Sequence, residues 1–236
     1  MRPYFSPAPL RTSSPAPQSL SMVAIQRKPD RSNCCPPNAP LEENVQDADA
    51  YQWLNPPEFC EFRDGDLFVR TADRTDFWRG TFYGFWHDNG HFFHRSVEGD
   101  FTAEVTIDGR YDTLYDQAGL MVRLSETHWI KAGIEFTDGA LHFSVVVTND
   151  QSDWSMLKIV QPTDGLRLRM TRHGEAVRVQ YLDAEDDHWK MARLAYLPRS
   201  SSIEVGMMCC SPQRPGFEVT FHDFKFGPAI ARDLHE

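Results

Sequence analysis

The sequence predicts an all-β protein whose folded part is one antiparallel β-sandwich. Three observations carry the prediction: short β-rich runs recur, glycine-bearing turns punctuate them, and no segment holds a helical period for three turns. The clearest runs cover residues 66–71, 101–107, 117–124, 129–136, 141–148, 166–171, 176–182, 203–209 and 217–226. Between them lie Asp64-Gly65, Asn89-Gly90, Glu98-Gly99, Asp108-Gly109, Asp138-Gly139, Asp164-Gly165 and His173-Gly174. Many short strands at close spacing build a sandwich or barrel. In 101–107 the alternation sends Phe101, Ala103, Val105 and Ile107 to one face and Thr102, Glu104 and Thr106 to the other.

Three strands can be set in register from the sequence. Asp138-Gly139 favours a type I′ hairpin, which pairs Phe136 with Leu141, Ile134 with Phe143, Ala132 with Val145 and Ile130 with Val147. Every pair is apolar, as one buried face demands. The strand before must then add Ala118, Leu120, Val122 and Leu124 to the same face, because a one-residue slip inverts every side chain.

The other face follows by parity and is the candidate binding surface. Its rows read Gln117, Glu135, His142; then Gly119, Gly133, Ser144; then Met121, Lys131, Val146; then Arg123, Trp129, Thr148. Two glycines and a serine make a low floor. Gln117, Glu135 and His142 wall it on one side, and Lys131, Arg123 and Trp129 on the other. Such a trough suits a flat polyol, with hydroxyls on the polar walls and a ring stacked on Trp129. The competing reading is that Gly119 and Gly133 permit a bulge or close packing by a covering segment. Trp78, Trp86 and Trp154 are further aromatic candidates, although Trp78, within Asp76-Phe77-Trp78, reads more as core or sheet edge; Trp154, after Ser152-Asp153, is placed on a loop beside the trough.

The domain occupies residues 50–228, with a short tail over 229–236. Residues 1–49 carry nine prolines and no strand or helix period. They bury too little apolar surface to offset the entropy of ordering, so a disordered leader is expected. The leader has no apolar core of a secretory signal. Arg2, Arg11, Arg27 and Lys28, with no acidic residue before Pro29, match a mitochondrial transit peptide in composition, although the prolines oppose the amphipathic helix such a signal needs. Met22 is an alternative start. The five cysteines, Cys34, Cys35, Cys60, Cys209 and Cys210, form adjacent pairs and an odd remainder, with no zinc spacing. Reduced thiols and a cytoplasmic location are the expectation.

A formal net charge of -10 argues against nucleic acid or an anionic membrane as the main partner. No apolar run approaches the roughly 20 residues that span a bilayer.

Blocks spread across the folded part resemble a known family. They are Trp53-Leu54-Asn55-Pro56-Pro57, Thr75-Asp76-Phe77-Trp78-Arg79, the run from Tyr115 to Arg123, and Trp129-Ile130-Lys131-Ala132-Gly133-Ile134-Glu135-Phe136. Ser144-Val145-Val146-Val147-Thr148-Asn149 and Ser152-Asp153-Trp154-Ser155 complete the set. In combination they are similar to the family named for the fungal regulation-of-enolase protein, a group of concanavalin A-like lectin/glucanase sandwich proteins. The resemblance implies a jelly-roll sandwich, a sugar-binding ancestry and, for the fungal namesake, a role in regulating central carbohydrate metabolism; in a regulatory version of a binding role the protein would contact a metabolic enzyme. It carries no agreed catalytic residues, and the leader has no counterpart in it.

Catalysis has one candidate pair. Glycoside hydrolysis normally needs two carboxyls flanking the bond, and the Glu-x-Asp-x-x-Glu strand that glucanases of this fold share is missing here. Glu135 beside His142 is an acid/base candidate for an isomerase or lyase, against the simpler reading of a structural hydrogen bond. His87, Asp88, His91 and His94 do not share one face, and Asn149, Asp150 and Asp153 offer few calcium oxygens, so no metal and no cofactor are expected. The sequence therefore favours a non-catalytic binding or regulatory protein for a carbohydrate or small polar metabolite. Its alternatives are an enzyme using Glu135 and His142, or a protein-interaction scaffold.

Overall fold

A computed structural model describes residues 50–160, 164–185 and 187–234. The expectations for the leader, including Cys34, Cys35 and Met22, lie outside these residues. The strands in chain order are β1 (Gln52–Leu54), β2 (Phe59–Arg63), β3 (Asp66–Arg70), β4 (Phe77–Arg79), β5 (Trp86–Asp88), β6 (His91–Glu98), β7 (Phe101–Gly109) and β8 (Gln117–Ser125). They continue with β9 (His128–Thr137), β10 (Ala140–Asn149), β11 (Gln151–Lys158), β12 (Leu166–His173), β13 (Ala176–Leu182), β14 (Trp189–Tyr196), β15 (Ser202–Cys210) and β16 (Glu218–Pro228).

Two antiparallel seven-stranded sheets form the sandwich. One has the order β1-β6-β15-β8-β9-β10-β11 and the other β14-β13-β12-β7-β16-β3-β2. Sequence neighbours such as β6, β7 and β8 alternate between sheets, which is the jelly-roll way of joining antiparallel strands. The inner faces meet in one core that takes Leu120, Val122, Ile130, Phe143 and Val145 from the first sheet and Val105, Ile107, Leu168, Met170 and Phe221 from the second. Each such fully buried side chain contributes about 1.5–3 kcal/mol.

The central register follows the hydrophobic pattern. Ile134 faces Phe143, Ala132 faces Val145 and Ile130 faces Val147, while Ala118 and Leu120 oppose Ile134 and Ala132. Asp138 and Gly139 both hold positive φ (54° and 70°), as a type I′ turn requires.

Several strands have weak sequence signals. β4 and β5 are three residues each and, among the described residues, pair only with one another. β11 and β14 are edge strands whose alternation is blunted by half-exposed apolar residues such as Leu157 and Leu194. The segment read as a loop around Trp154 is β11. The chain reverses around Asp150, whose φ is 63°, so Asn149 faces Gln151 and Trp154 faces Val146. Asn149, Asp150 and Asp153 are thereby spread along a hairpin, and Asp153 is ion-paired with Arg193 at 3.2 Å. Aspartate tolerates the left-handed region, which lets the strand turn back without glycine.

Candidate functional site

The outer face of the first sheet is partly roofed. β4 and β5 form a hairpin over it, and a second apolar cluster of Phe77, Trp78, Phe92, Met121, Trp129, Val146, Met208 and Cys210 fills the space beneath. Polar anchors toward β8, β9 and the loop after β1 help to hold the hairpin down. Arg123 donates from both terminal nitrogens to the two Asp88 carboxylate oxygens at 2.8 and 2.9 Å. Asn55 Nδ2 donates to the carbonyls of Asp88 and Gly90 at 2.8 and 2.9 Å. Lys131 Nζ donates to the Phe77 carbonyl at 2.8 Å and to Asp76 at 3.2 Å.

This roof divides the expected trough. At the Arg123–Trp129 end Phe77 lies edge-on to Trp129, with ring centroids 6.1 Å apart. Trp129 is 0% exposed and donates its ring N–H to the Glu126 carbonyl at 3.1 Å. The expectation that a ligand ring stacks on Trp129 is therefore corrected: the hairpin takes that place. Arg123 is committed to Asp88 and is also buried.

Gly119 and Gly133 also have a reason that involves no ligand. A Cβ on Gly119 would stand 1.9 Å from the Ala132 carbonyl oxygen, and one on Gly133 would stand 1.9 Å from the Ala118 oxygen. The two strands approach so closely at this facing pair that only glycine fits, which is the close-packing reading of strand glycines.

The opposite end stays open as a pocket of about 390 Å³. Its base is polar, from Gln117, Lys131 and Glu135, all buried. Its walls are aromatic: Trp78, Tyr83 and Phe85 from the hairpin, Trp154 from β11, and Tyr115 from the loop before β8. Arg74, His87 and Gln213 stand at its edge. The rings brace each other. Trp78 meets Trp154 edge-on at 6.3 Å and Tyr83 at 5.7 Å, and Tyr115 meets Trp154 at 6.3 Å. The Tyr83 and Tyr115 hydroxyls are 3.1 Å apart, joining two separate loops.

The base is electrostatically tuned. Burial pushes the Glu135 carboxyl above its usual range, and Asp76 adds to this; Lys131 and hydrogen bonds from Ser144 and Trp154 oppose it without cancelling it. Trp154 holds its ring N–H between Glu135 Oε2 (3.2 Å) and Ser144 Oγ (2.9 Å). Burial alone would lower the Lys131 ammonium, but the charge of Asp76 and its hydrogen bond, with Glu135 beyond, outweigh it and leave it raised. The Tyr115 phenol is pushed up to about 12, first by its hydrogen bond with Tyr83 and then by burial.

The residues singled out in the sequence thus divide. Gln117, Lys131, Glu135 and Trp154 come together in the pocket, and Ser144 supports Trp154 from below. Gly119, Gly133, Arg123 and Trp129 serve the sheet and its roof. His142 faces Glu135 across the strands, but its Nδ1 lies 3.2 Å from the carbonyl of Ala140, while Glu135 engages Trp154 and Ser144. The pair proposed for acid/base chemistry is thus not joined by a hydrogen bond, because the indole claims the carboxylate. His91 is also locally committed, with Nε2 accepting from the Ala72 N–H at 3.0 Å and Nδ1 donating to the Asn55 carbonyl at 2.6 Å.

Sequence reasoning missed Asp76, Tyr83, Phe85 and Tyr115. One signal was present: six of the ten residues 77–86 are aromatic, which is dense for a surface hairpin. Tyr115 gave none, since its place depends on a loop with φ of 68°.

Comparisons with known proteins agree on kinship and fold. Residues 53–229 match a family described as "Protein of unknown function (DUF1349)". The Saccharomyces cerevisiae protein named "Regulation of enolase protein 1" is 41% identical over 184 residues, which are 78% of this chain and 92% of the yeast protein. A crystal structure of a functionally unknown protein from Saccharomyces cerevisiae superposes with a TM-score of 0.74 at 40% identity, over 78% of this chain and 99% of the other. The Bacteroides ovatus protein described as "Xyloglucan PUL GH43B" matches with a TM-score of 0.61 at 16% identity, over 76% of this chain and 36% of its own, a likeness of fold alone.

Proposed function

The chain belongs to the DUF1349 family, and from that premise we propose that it is a non-catalytic binding and regulatory protein whose pocket takes a carbohydrate or a related small polar metabolite. The observation that carries the reading is the pocket's composition: aromatic walls from Trp78, Tyr83, Tyr115 and Trp154 over a base of Glu135, Gln117 and Lys131. Apolar ring faces suit the C–H faces of a sugar, and the buried polar base suits its hydroxyls. The Gln117 side chain, which lines the pocket, donates to the Tyr115 carbonyl at 3.2 Å and keeps its amide oxygen as an acceptor.

The name of the yeast relative supports the regulatory half of the reading, in which occupancy of the pocket alters docking to a metabolic enzyme, with enolase the first to test. A cytoplasmic setting fits the unpaired thiols of Cys60, Cys209 and Cys210.

The test is a thermal-shift and calorimetric screen of the full chain against mono- and oligosaccharides and phosphorylated sugar metabolites. A ligand at a hundred times its Kd stabilises the fold by about 2.7 kcal/mol, a readily measured rise in Tm. Trp154→Ala should weaken the binding at least tenfold. A flat screen, or undiminished binding by Trp154→Ala, sinks the proposal.

A further inference from the structure

A second hollow adjoins the pocket. It encloses about 470 Å³ between Thr81 and Phe82 at the hairpin tip and Ser152 and Asp153 on β11. Trp78, Tyr83 and Trp154 line both spaces, so one aromatic ridge separates two neighbouring compartments. The second repeats the chemistry of the first. Each sets aromatic surface beside a carboxylate and a hydroxyl: Glu135 with Tyr115 in the pocket, and in the second hollow Asp153, which also pairs with Arg193, with Thr81.

The outer compartment is held in shape. Ser152 Oγ accepts from the Arg79 N–H at 2.9 Å and lies 2.9 Å from Thr148 Oγ1, fixing the hairpin against β11. At the tip, the Gly80 and Gly84 N–H groups bond to the carbonyls of Phe85 and Gly80 at 2.9 and 2.7 Å, closing a tight loop. That loop carries Phe82 at φ 61° and 93% exposed, packed edge-on against Tyr83 at 5.1 Å. A bulky residue in the left-handed region is a backbone outlier, and an apolar ring almost wholly in water gains little from the fold. Strain of this kind gathers at ligand clamps.

Resting on the carbohydrate reading above, we infer that the site takes an extended saccharide of at least two units, one ring in the pocket and the next in the outer hollow against Phe82. A repeating ligand presents the same polyhydroxylated chemistry twice, which is what the two compartments offer. A monosaccharide would leave the outer hollow and Phe82 unused.

The experiment is calorimetric titration of the full chain with malto-, cello- and xylo-oligosaccharides of one to four units, using wild type and Phe82→Ala. Phe82 is exposed, so its truncation leaves the core intact. In the series that binds, the disaccharide or trisaccharide should bind at least tenfold more tightly than the monosaccharide. Phe82→Ala should remove that gain and leave monosaccharide affinity within twofold. Equal affinity for one unit and for longer chains overturns the inference while the carbohydrate reading stands. Loss of monosaccharide binding in Phe82→Ala also overturns it, because Phe82 would then belong to the first compartment. Binding by no member of any series overturns both.

Discussion

Glu135 lies under Trp154 with its charge poorly solvated, and that position sets opposing demands on stability and binding. Its carboxyl is raised by burial above the ordinary value, so the native state holds this proton more tightly than the unfolded chain does. A carboxyl shifted this way supports the fold at low pH, and the support is lost as pH rises through the unfolded and then the folded pKa. Glu135→Gln keeps an acceptor for the Trp154 ring N–H and removes the charge. The variant should therefore melt higher than wild type at pH 7.5, and the two should converge near pH 4. Its ligand affinity should fall by about tenfold, the scale of one lost charged hydrogen bond. Paired melting curves and titrations check this; a variant less stable at pH 7.5 would show that Glu135 is held there by its partners and not strained.

At the level of elements, the β8–β9 pair and the β4–β5 hairpin do separate work. β8 and β9 are pressed together at Gly119 and Gly133, where each missing Cβ makes room for the neighbour's backbone. Backbone cannot rotate aside as a side chain does. Gly133→Ala should thus cost about 3 kcal/mol, the upper part of the range for overpacking, read as a lower urea midpoint with an unchanged m-value. A cost below 1 kcal/mol would mean that the strands separate easily. The hairpin is pinned by Arg123, Asn55 and Lys131 among others, and it covers Trp129 while leaving the pocket over Glu135 open. A three-residue strand pair buries too little to persist alone, so the sheet below decides where it lies.

Across the whole molecule, two buried histidines and one half-buried histidine tie stability to pH. His91, His94 and His173 are all lowered, in each case chiefly by burial. Their unfolded values lie near 6.5. The unfolded chain therefore takes up more protons just below that pH, and the stability from neutral imidazoles is complete above about 6.5 and lost as pH falls through the folded values. Urea midpoints should drop between pH 7.5 and 5.5, a window above the range of ordinary carboxylates. An unchanged midpoint would contradict the linkage. Protonating His91 would also forfeit its bond from the Ala72 N–H, since Nε2 could no longer accept.

The sandwich and the register of β8, β9 and β10 were legible in the sequence because both rest on local rules. Side chains alternate with a period of two, and Asp138-Gly139 admits one tight turn, so parity alone placed Gln117, Lys131 and Glu135 on one face. Sequence could not say what lies over that face. The β4–β5 hairpin reaches it through contacts separated by tens of residues, such as Asp88 with Arg123 and Phe77 with Lys131. Those contacts bury Trp129, recruit Trp78, Tyr83 and Phe85, and turn an open trough into an aromatic pocket. Which side chains share a face is fixed by backbone geometry within a strand pair. Which of them meet solvent is fixed by packing between distant segments, and only the tertiary structure decided that.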